Sequence, residues 1–302
     1  MYWGAAFATP HTLHLERIMR KKMRFSFFLT LLLLAAGIMV LLYPFVSSWL
    51  DQRDQAQIID HYEEAVDGLT KEEITAEKKA SQAYNEGLLG NVVLTDPFDA
   101  EAGRKASEGY EERLNLNGDG IMGYIEIPEI DVRLPIYHGT GSEVLDKGVG
   151  HLENTSLPVG GTAAHCVLSA HTAYAKATLF NRLTELAEGD VFYLTVLDET
   201  LAYEVDQIKV VEPTDTGDLV ISGHEDYVTL VTCTPYGVNS HRLLVRGTRI
   251  PYEEEEAAAA REQAEQTGPI DKIAAAALLV LLGIFLTVKR RRRRRKETGD
   301  VT

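Results

Sequence analysis

Thr229-Leu230-Val231-Thr232-Cys233-Thr234-Pro235-Tyr236 predicts a β-strand with a thiol at its end. Its alternating β-branched and apolar side chains favour a strand, and Pro235 ends the pairing because it has no N–H to donate. Side chains at strand ends lie beside the loops that carry function, so Cys233 is a candidate nucleophile. A second predicted strand, residues 242–250, begins at Arg242, nine residues after the cysteine.

The pattern around this segment indicates an all-β domain. Short alternating runs separated by turn residues predict strands at 125–127, 132–136, 166–169, 191–196, 202–211, 227–232 and 243–250. About seven or eight strands within roughly 130 residues predict one closed barrel or sandwich. We also expect a hairpin turn at 198–200 and a helical insert at 175–186, which follows His171.

Length and composition allow one or two domains with a packed core. The chain has 302 residues, of which 45% are hydrophobic. Its two cysteines, Cys166 and Cys233, do not make a disulfide framework, so packing must stabilise the fold. Residues 47–270 carry 16 Lys and Arg against 41 Asp and Glu. Because so acidic a region repels phosphate, the composition argues against nucleic acid as a partner.

Two apolar runs predict membrane spans on either side of the acidic region. Residues 25–46 carry no charge, and at about 1.5 Å per residue they can cross a hydrocarbon core of about 30 Å. The second span, 271–288, is shorter, but Lys272 and Lys289 can extend to the interfaces. Basic residues precede the first run and follow the second, so both termini are expected in the cytoplasm and the middle outside. A cleavable signal peptide is the alternative for the first run.

These spans divide the chain into segments. The expected segments are a cytoplasmic N-terminus at 1–24, the first span at 25–46, an extracytoplasmic helical region at 47–120, the β domain at 121–252, an acidic and alanine-rich exposed helix or stalk at 253–270, the second span at 271–288 and a basic cytoplasmic tail at 289–302. Met19 and Met23 are alternative starts. Apolar residues at helical spacing predict one helix from Leu50 to Gly87, and residues 91–99 predict an extended linker with a proline kink.

Residues 115–126 match the spacing of a calcium-binding loop in part. The ligand and glycine positions of such a loop correspond here to Asn115, Asn117, Asp119, Gly120 and Glu126. However, the alternation after Gly123 is typical of a strand and not of the second helix of an EF-hand. We therefore favour a polar turn into the first strand, and we predict neither a metal nor a cofactor.

Nine histidines are candidates for a general base. His171 follows the predicted 166–169 strand beside a turn, just as Cys233 ends its own strand. The other histidines that we considered are His138 and His151 in glycine-containing loops, His224 in a turn and His241 beside Arg242. A histidine taken alone more often has a structural or surface role, so the strand-end position singles out His171. Cys166 lies inside an apolar strand and is predicted to be a small buried residue.

The ordered set of His171, Thr229–Cys233 and Arg242 resembles the signature of sortases, the extracytoplasmic cysteine transpeptidases of Gram-positive bacteria. Residues 169–172 resemble the segment around the family's histidine, and residues 211–219 resemble a strand and loop of the same barrel. The resemblance implies a sortase-like closed β-barrel of about eight strands with short helices, preceded by the helical region and flanked by the two spans.

Four further features resemble class C, the sortases that polymerise pilins. These features are a second C-terminal span, the segment 148–160, the loop 233–242 and the triplet Asp96-Pro97-Phe98. The triplet resembles a lid, here residues 91–99, in which Asp96 pairs with Arg242 and Phe98 covers Cys233. Two departures from the family pattern are Asn154, where Gly is expected, and Cys166, where Ser is common.

The resemblance also implies a reaction and its residues. Cys233 would attack the Thr carbonyl of a Leu-Pro-x-Thr-Gly-like sorting signal at the C-terminus of a pilin or surface protein. His171 would serve as general acid and base, and Arg242 would hold the signal and stabilise the oxyanion. The acceptor would be a lysine amine of the next pilin. We expect Cys233 and a cationic His171 to titrate as one coupled ion pair.

Three alternatives stay open at this point. A housekeeping sortase would join surface proteins to an amine of the cell wall. A membrane-anchored binding or adhesion module would not depend on Cys233. A hydrolytic cysteine protease would cleave without an acceptor amine, although an Arg in place of an Asn or Asp orienter argues against it.

Overall fold

The computed structural model describes residues 10–88, 94–99, 108–172, 179–221 and 223–267. The chain divides into two compact units, Met1–Trp49 and Leu50–Thr302. Where the structure describes the chain, no helix combines the length and the apolar character that a membrane crossing requires. The predicted span 25–46 lies within the first helix, and the predicted span 271–288 lies outside the described residues. Both spans remain predictions.

The predicted helix over 50–87 is two helices. Helix α1 covers Pro10–Asp67 and helix α2 covers Lys71–Gly87. The break arises because Thr70 caps α2: its Oγ1 accepts a hydrogen bond from the Glu73 N–H at 3.2 Å, and its own N–H donates to the Glu73 carboxylate at 2.8 Å. This reciprocal capping box stabilises a new helix start, so a single continuous helix was the wrong prediction.

Eight strands form a closed barrel, which confirms the predicted all-β class. The strands are β1 Ile121–Ile127, β2 Val132–His138, β3 Val149–His151, β4 Ala164–Ser169, β5 Val191–Val196, β6 Glu199–Val211, β7 Asp226–Thr234 and β8 His241–Ile250. Their order around the barrel is β1-β2-β3-β4-β7-β8-β6-β5. The short helix α3, Ser142–Leu145, precedes β3, and helix α4, Glu254–Thr267, follows β8. Short 3₁₀ turns occupy Tyr110–Glu112, Pro128–Ile130, Leu183–Glu185 and Gly217–Leu219.

Three local predictions need correction. Strand β3 was missed because it is only three residues long and because its central Gly150 is a poor strand former. The glycine is required by packing, since a Cβ at this position would lie 2.4 Å from the Gly139 carbonyl oxygen. The predicted turn at 198–200 falls earlier, because Glu199 already pairs with Val196. The predicted helix at 175–186 is reduced in its described part to the 3₁₀ turn Leu183–Glu185, and residues 173–178 lie outside the described part.

The helices before the barrel contribute directly to its core. Ile59, Tyr62 and Val66 of α1 and Ile74 of α2 belong to the same buried apolar cluster as the barrel interior. The Tyr62 hydroxyl donates to the Met122 carbonyl at 3.0 Å and accepts from the Leu197 N–H at 2.8 Å. Because these contacts join α1 to β1 and to the β5–β6 turn, Leu50 to Gly87 belongs to the same compact unit as the barrel.

The last helix is held against the barrel. Ala257 is fully buried, in one cluster with Tyr193 and Ala202, and the Arg261 guanidinium donates to the Glu126 carboxylate at 2.6 Å. Of the segment predicted as an exposed helix or stalk, the part Glu254–Thr267 is helical and makes specific contacts with β1 and β5, and residues 268–270 lie outside the described part. Glu126 is thus committed to an ion pair.

The 115–126 segment bonds its own backbone. The Asn115 side-chain oxygen accepts from the Gly120 N–H at 2.9 Å, and Asp119 accepts from the Ile121 N–H at 3.1 Å. Within the described ranges, no three His, Cys, Asp or Glu residues gather to hold a metal ion. The segment has the geometry of a polar turn leading into β1.

A stability prediction follows from Asn85 on α2. Its buried amide donates to the Leu157 carbonyl at 3.2 Å and accepts from the Leu157 N–H at 2.7 Å. Asn85→Ala should lower the free energy of unfolding by about 2–4 kcal/mol, because both backbone groups lose their partners inside the protein. Urea unfolding of the full chain, followed by circular dichroism, measures this change. Glu86→Ala, at the exposed neighbouring position, is the control; equal losses in the two variants would contradict the assignment.

Candidate active site

Strand pairing brings the three predicted catalytic residues to one end of the barrel. Cys233 pairs directly with Arg242 across antiparallel β7 and β8. On the other side of β7, parallel β4 ends with Ser169 opposite Val231. The two segments remain adjacent beyond that pair, because the Thr232 hydroxyl donates a hydrogen bond to the Ala170 carbonyl at 2.8 Å. His171 directly follows Ala170, so it lies at the end of β4 that adjoins the Cys233 end of β7.

Arg242 is held by a carboxylate distant in sequence. Its Nε donates to Asp96 Oδ1 at 2.8 Å and its Nη2 donates to Asp96 Oδ2 at 2.6 Å. Its Nη1 donates to the carbonyls of Asn239 and His241 at 3.1 and 3.0 Å. The Arg242 and Asp96 side chains are only 11% and 13% exposed, so this two-pronged pair is well shielded from solvent.

Residues 94–99, which we call the covering segment, lie over this end of the barrel. The Phe98 ring centroid lies 5.6 Å from that of His171 and 5.1 Å from the guanidinium carbon of Arg242. Leu94 and Phe98 also pack against a buried apolar cluster that includes Val231. Asp96 orients the turn, since its Oδ1 accepts from the Phe98 N–H at 3.3 Å. The predicted triplet therefore contacts both Arg242 and His171.

Burial in this arrangement favours the neutral forms of the Cys233 thiol and the His171 imidazole. Burial raises the pKa of the Cys233 thiol; Arg242 acts to lower it, and Asp96 acts to raise it. Burial lowers the pKa of His171, and the Asp146 carboxylate acts in the opposite direction. The expected thiolate–imidazolium pair is thus not the form that this conformation favours, because burial disfavours both charged groups and Asp96 opposes the effect of Arg242 on the thiol.

The other candidate histidines lie elsewhere. The buried rings of His138 and His151 contact the Tyr110 ring, with centroids 5.0 and 5.7 Å away. His151 accepts a bond from the Tyr110 hydroxyl at 2.9 Å, and burial lowers its pKa to about 4. His241 lies 3.2 Å from the Glu212 carboxylate. His224 lies in an exposed bend between the 3₁₀ turn Gly217–Leu219 and β7. These contacts indicate structural or surface roles.

Cys166 and Cys233 differ in their surroundings. Both are free thiols, so neither forms a disulfide with the other. Cys166 belongs to the main apolar core of the barrel, and burial raises its pKa well above the usual value. It is thus the small buried residue that its strand predicted, whereas Cys233 lies at a strand end beside polar groups.

Asp146 was not recognised from the sequence. Its carboxylate lies 3.9 Å from the His171 Nε2, and it directly follows α3. No periodicity or motif marked this position, which lies two residues before the 148–160 segment. Asp146 comes near His171 only in the folded structure, where α3 and the end of β4 meet.

Comparison with known proteins agrees with this geometry. The sortase domain family model matches residues 125–250. Sortase D of Bacillus subtilis is 33% identical over 182 residues, covering 59% of this chain and 87% of that protein. Sortase A of Staphylococcus aureus is 30% identical over 140 residues, covering 45% of this chain and 66% of that protein.

Solved structures of sortases C share the fold. Sortase C of Streptococcus pneumoniae superimposes with a TM-score of 0.61 at 45% identity, covering 65% of this chain and 97% of that chain. Sortase C-1 of Actinomyces oris gives 0.55 at 46% identity, covering 59% and 99%. Because the similarity extends over nearly the whole of these proteins and includes the barrel that carries Cys233, this chain belongs to the sortase family, and its structural neighbours are of class C.

Proposed function

We propose that the chain is a pilin-polymerising cysteine transpeptidase. It would cleave an LPXTG-like sorting signal between Thr and Gly and transfer the acyl group to a lysine amine of another pilin. The observation that carries this proposal is the register of Cys233 against Arg242, with His171 at the adjacent strand end. Sortases are cysteine transpeptidases, and the class C neighbours favour pilins over other surface proteins as substrates; one of those structures is described in terms of pilin substrate specificity.

Each step uses a group that the barrel already positions. The Cys233 thiolate attacks the Thr carbonyl carbon, and the Arg242 guanidinium stabilises the resulting oxyanion with its fixed donors. The C–N bond to Gly breaks as His171 gives a proton to the leaving amine, which leaves a thioester on Cys233. The lysine amine then attacks this thioester, His171 takes up its proton, and the thiolate departs as the isopeptide bond forms.

We propose that the covering segment is a lid that must move before this chemistry. Asp96 occupies the two guanidinium donors that an oxyanion would use, and the Phe98 ring lies against His171. The Asp96 carboxylate thereby occupies the place at Arg242 that the negative oxyanion would take during the reaction. A sorting signal would compete with Asp96 for Arg242, so the closed form suppresses reaction without substrate.

The proposed setting is the outer face of a membrane. The apolar runs 25–46 and 271–288 and their basic flanks favour two spans, with both termini in the cytoplasm and residues 47–270 outside. The strongly acidic middle favours cationic partners such as a lysine side chain. These inferences rest on the sequence pattern alone.

Mass spectrometry of reaction products tests the function. The full chain in detergent is incubated with a pilin that carries a C-terminal LPXTG-like signal and with a second pilin that supplies lysines. We expect a Thr–Lys isopeptide bond with wild type and none with Cys233→Ala. Transfer to a cell-wall amine would instead support a housekeeping sortase, and release of the free Thr acid alone would support a protease. Binding that is identical in wild type and Cys233→Ala, with no product in either, would support an adhesion module.

A further inference from the structure

We propose that Asp146 is a positioning residue for His171, which orients the imidazole and stabilises the imidazolium that protonates the leaving amine. This inference rests on the proposed transpeptidase function. The primary observation is the 3.9 Å distance between Asp146 Oδ1 and His171 Nε2. The Asp146 side chain is 54% exposed and that of His171 is 31% exposed, so the pair lies at the rim of the site and not in the core.

The backbone of Asp146 is fixed on both sides. Its N–H bonds the carbonyls of Ser142 and Val144 at the end of α3, and the preceding Leu145 is buried. The following residue, Lys147, has its carbonyl bonded by the Gln55 amide at 2.8 Å. A short helix that would otherwise fray is therefore tied to α1, and the carboxylate has a defined position facing His171.

The charged groups near Asp146 and His171 interact with partners other than these two side chains. The Lys147 ammonium lies 4.1 Å from the Tyr137 ring centroid, where a cation–π contact holds it. From the covering segment and β8, Asp96 and Arg242 face the site as a mutually neutralising pair.

Two further neighbours of His171 among the described residues are Cys233 and Phe98. On β7, burial raises the pKa of the Cys233 thiol and so favours its neutral form. The Phe98 ring carries no charge. Among the described residues whose effect on His171 is resolved, Asp146 is thus the charge that opposes burial and raises the pKa of the imidazole.

The chemistry gives this carboxylate a specific task. The leaving amine needs a proton from an imidazolium, but partial burial favours the neutral ring. A carboxylate near Nε2 stabilises the charged form and disfavours other ring orientations. Asp146 thereby partly offsets the effect of burial on the pKa of His171, so that more of the acid form is available than burial alone would allow.

Asp146→Asn tests the proposal with two readouts. The first is the NMR titration of the His171 ring in the Cys233→Ala background, where no thiol couples to it. The second is the pH profile of kcat/KM for transpeptidation by variants that retain the thiol. We expect Asp146→Asn to move the imidazole midpoint to lower pH and to reduce kcat/KM at neutral to mildly alkaline pH by about two- to fivefold, the size expected for a solvent-exposed pair. The alkaline limb of the profile should move to lower pH with the midpoint.

Matched variants separate position from charge. Asp146→Glu should restore most of the midpoint shift, whereas Glu143→Gln removes a charge from exposed α3 surface and should change neither readout. Identical imidazole midpoints in wild type and Asp146→Asn would overturn the proposal, whatever the activity. A wild type that forms no transfer product, with the midpoint still displaced by Asp146→Asn, would overturn the proposed function and retain the electrostatic coupling.

Discussion

Arg242→Lys is expected to reduce kcat/KM for transpeptidation about 100- to 1000-fold, the range found when an oxyanion donor is lost. Lysine keeps the positive charge but presents a single rotating ammonium, whereas arginine presents a planar fork with fixed donors. In the structure that fork makes two bonds to Asp96 and two to the backbone carbonyls of Asn239 and His241. The measurement is steady-state kinetics with a labelled sorting peptide.

The same strand supplies a matched control for this substitution. Arg246 also forms a two-pronged pair, with Asp206 at 2.9 and 2.8 Å, but on the outer surface and away from the thiol. Arg246→Lys should leave kcat/KM within about threefold of wild type, as expected for a surface pair. A similar loss in both variants would indicate general damage to β8, and retained activity in Arg242→Lys would contradict an oxyanion role.

Asp96→Asn is expected to speed alkylation of Cys233 about tenfold or more, because charge-assisted bonds to a shielded arginine contribute roughly 1.5–3 kcal/mol each. The amide retains the size of the carboxylate but carries no charge, so the covering segment loses its main attachment to Arg242. Mass spectrometry of the iodoacetamide adduct on Cys233 measures the rate, and buried Cys166 serves as an internal reference. Asp206→Asn, which breaks the surface pair, should leave the rate unchanged.

The pH dependence of alkylation gives a second readout for Asp96→Asn. Only the thiolate reacts, so the rate rises as pH passes upward through the pKa of Cys233. Asp96 acts to raise that pKa and Arg242 acts to lower it. Removing the carboxylate charge should therefore move the alkylation midpoint to lower pH. Identical midpoints and rates in wild type and Asp96→Asn would contradict the closed-lid interpretation.

Local sequence pattern was sufficient to predict the two strands that carry Cys233 and Arg242. Alternating side chains and Pro235 predicted a strand at 227–232, and β7 extends one residue before it and two residues beyond it, from Asp226 to Thr234. Arg242 was predicted to open the next strand, which begins one residue earlier, at His241. Antiparallel pairing then fixes Cys233 opposite Arg242, so this part of the site is encoded within about 20 residues.

Contacts between distant segments were harder to predict. Asp96 and Arg242 are separated by 146 residues, and their pairing was anticipated only through the resemblance to class C sortases. No motif or resemblance indicated Asp146, because its proximity to His171 depends on where α3 meets β4. The break before α2 could have been predicted, since Thr70-x-x-Glu73 matches the sequence pattern of a capping box. The contribution of α1 and α2 to the core likewise depends on tertiary packing that helical periodicity alone does not specify.

The position of β8 has a consequence for how the enzyme is made. β8 is the last strand in the chain, yet it inserts between β6 and β7. While a ribosome is still adding residues beyond β7, those two strands present open edges, which invite pairing with other chains. The barrel can close only after Ile250 has been synthesised, and the same strand brings Arg242 to the thiol. Completion of the catalytic pair and removal of the aggregation-prone edges are therefore a single event at the end of synthesis.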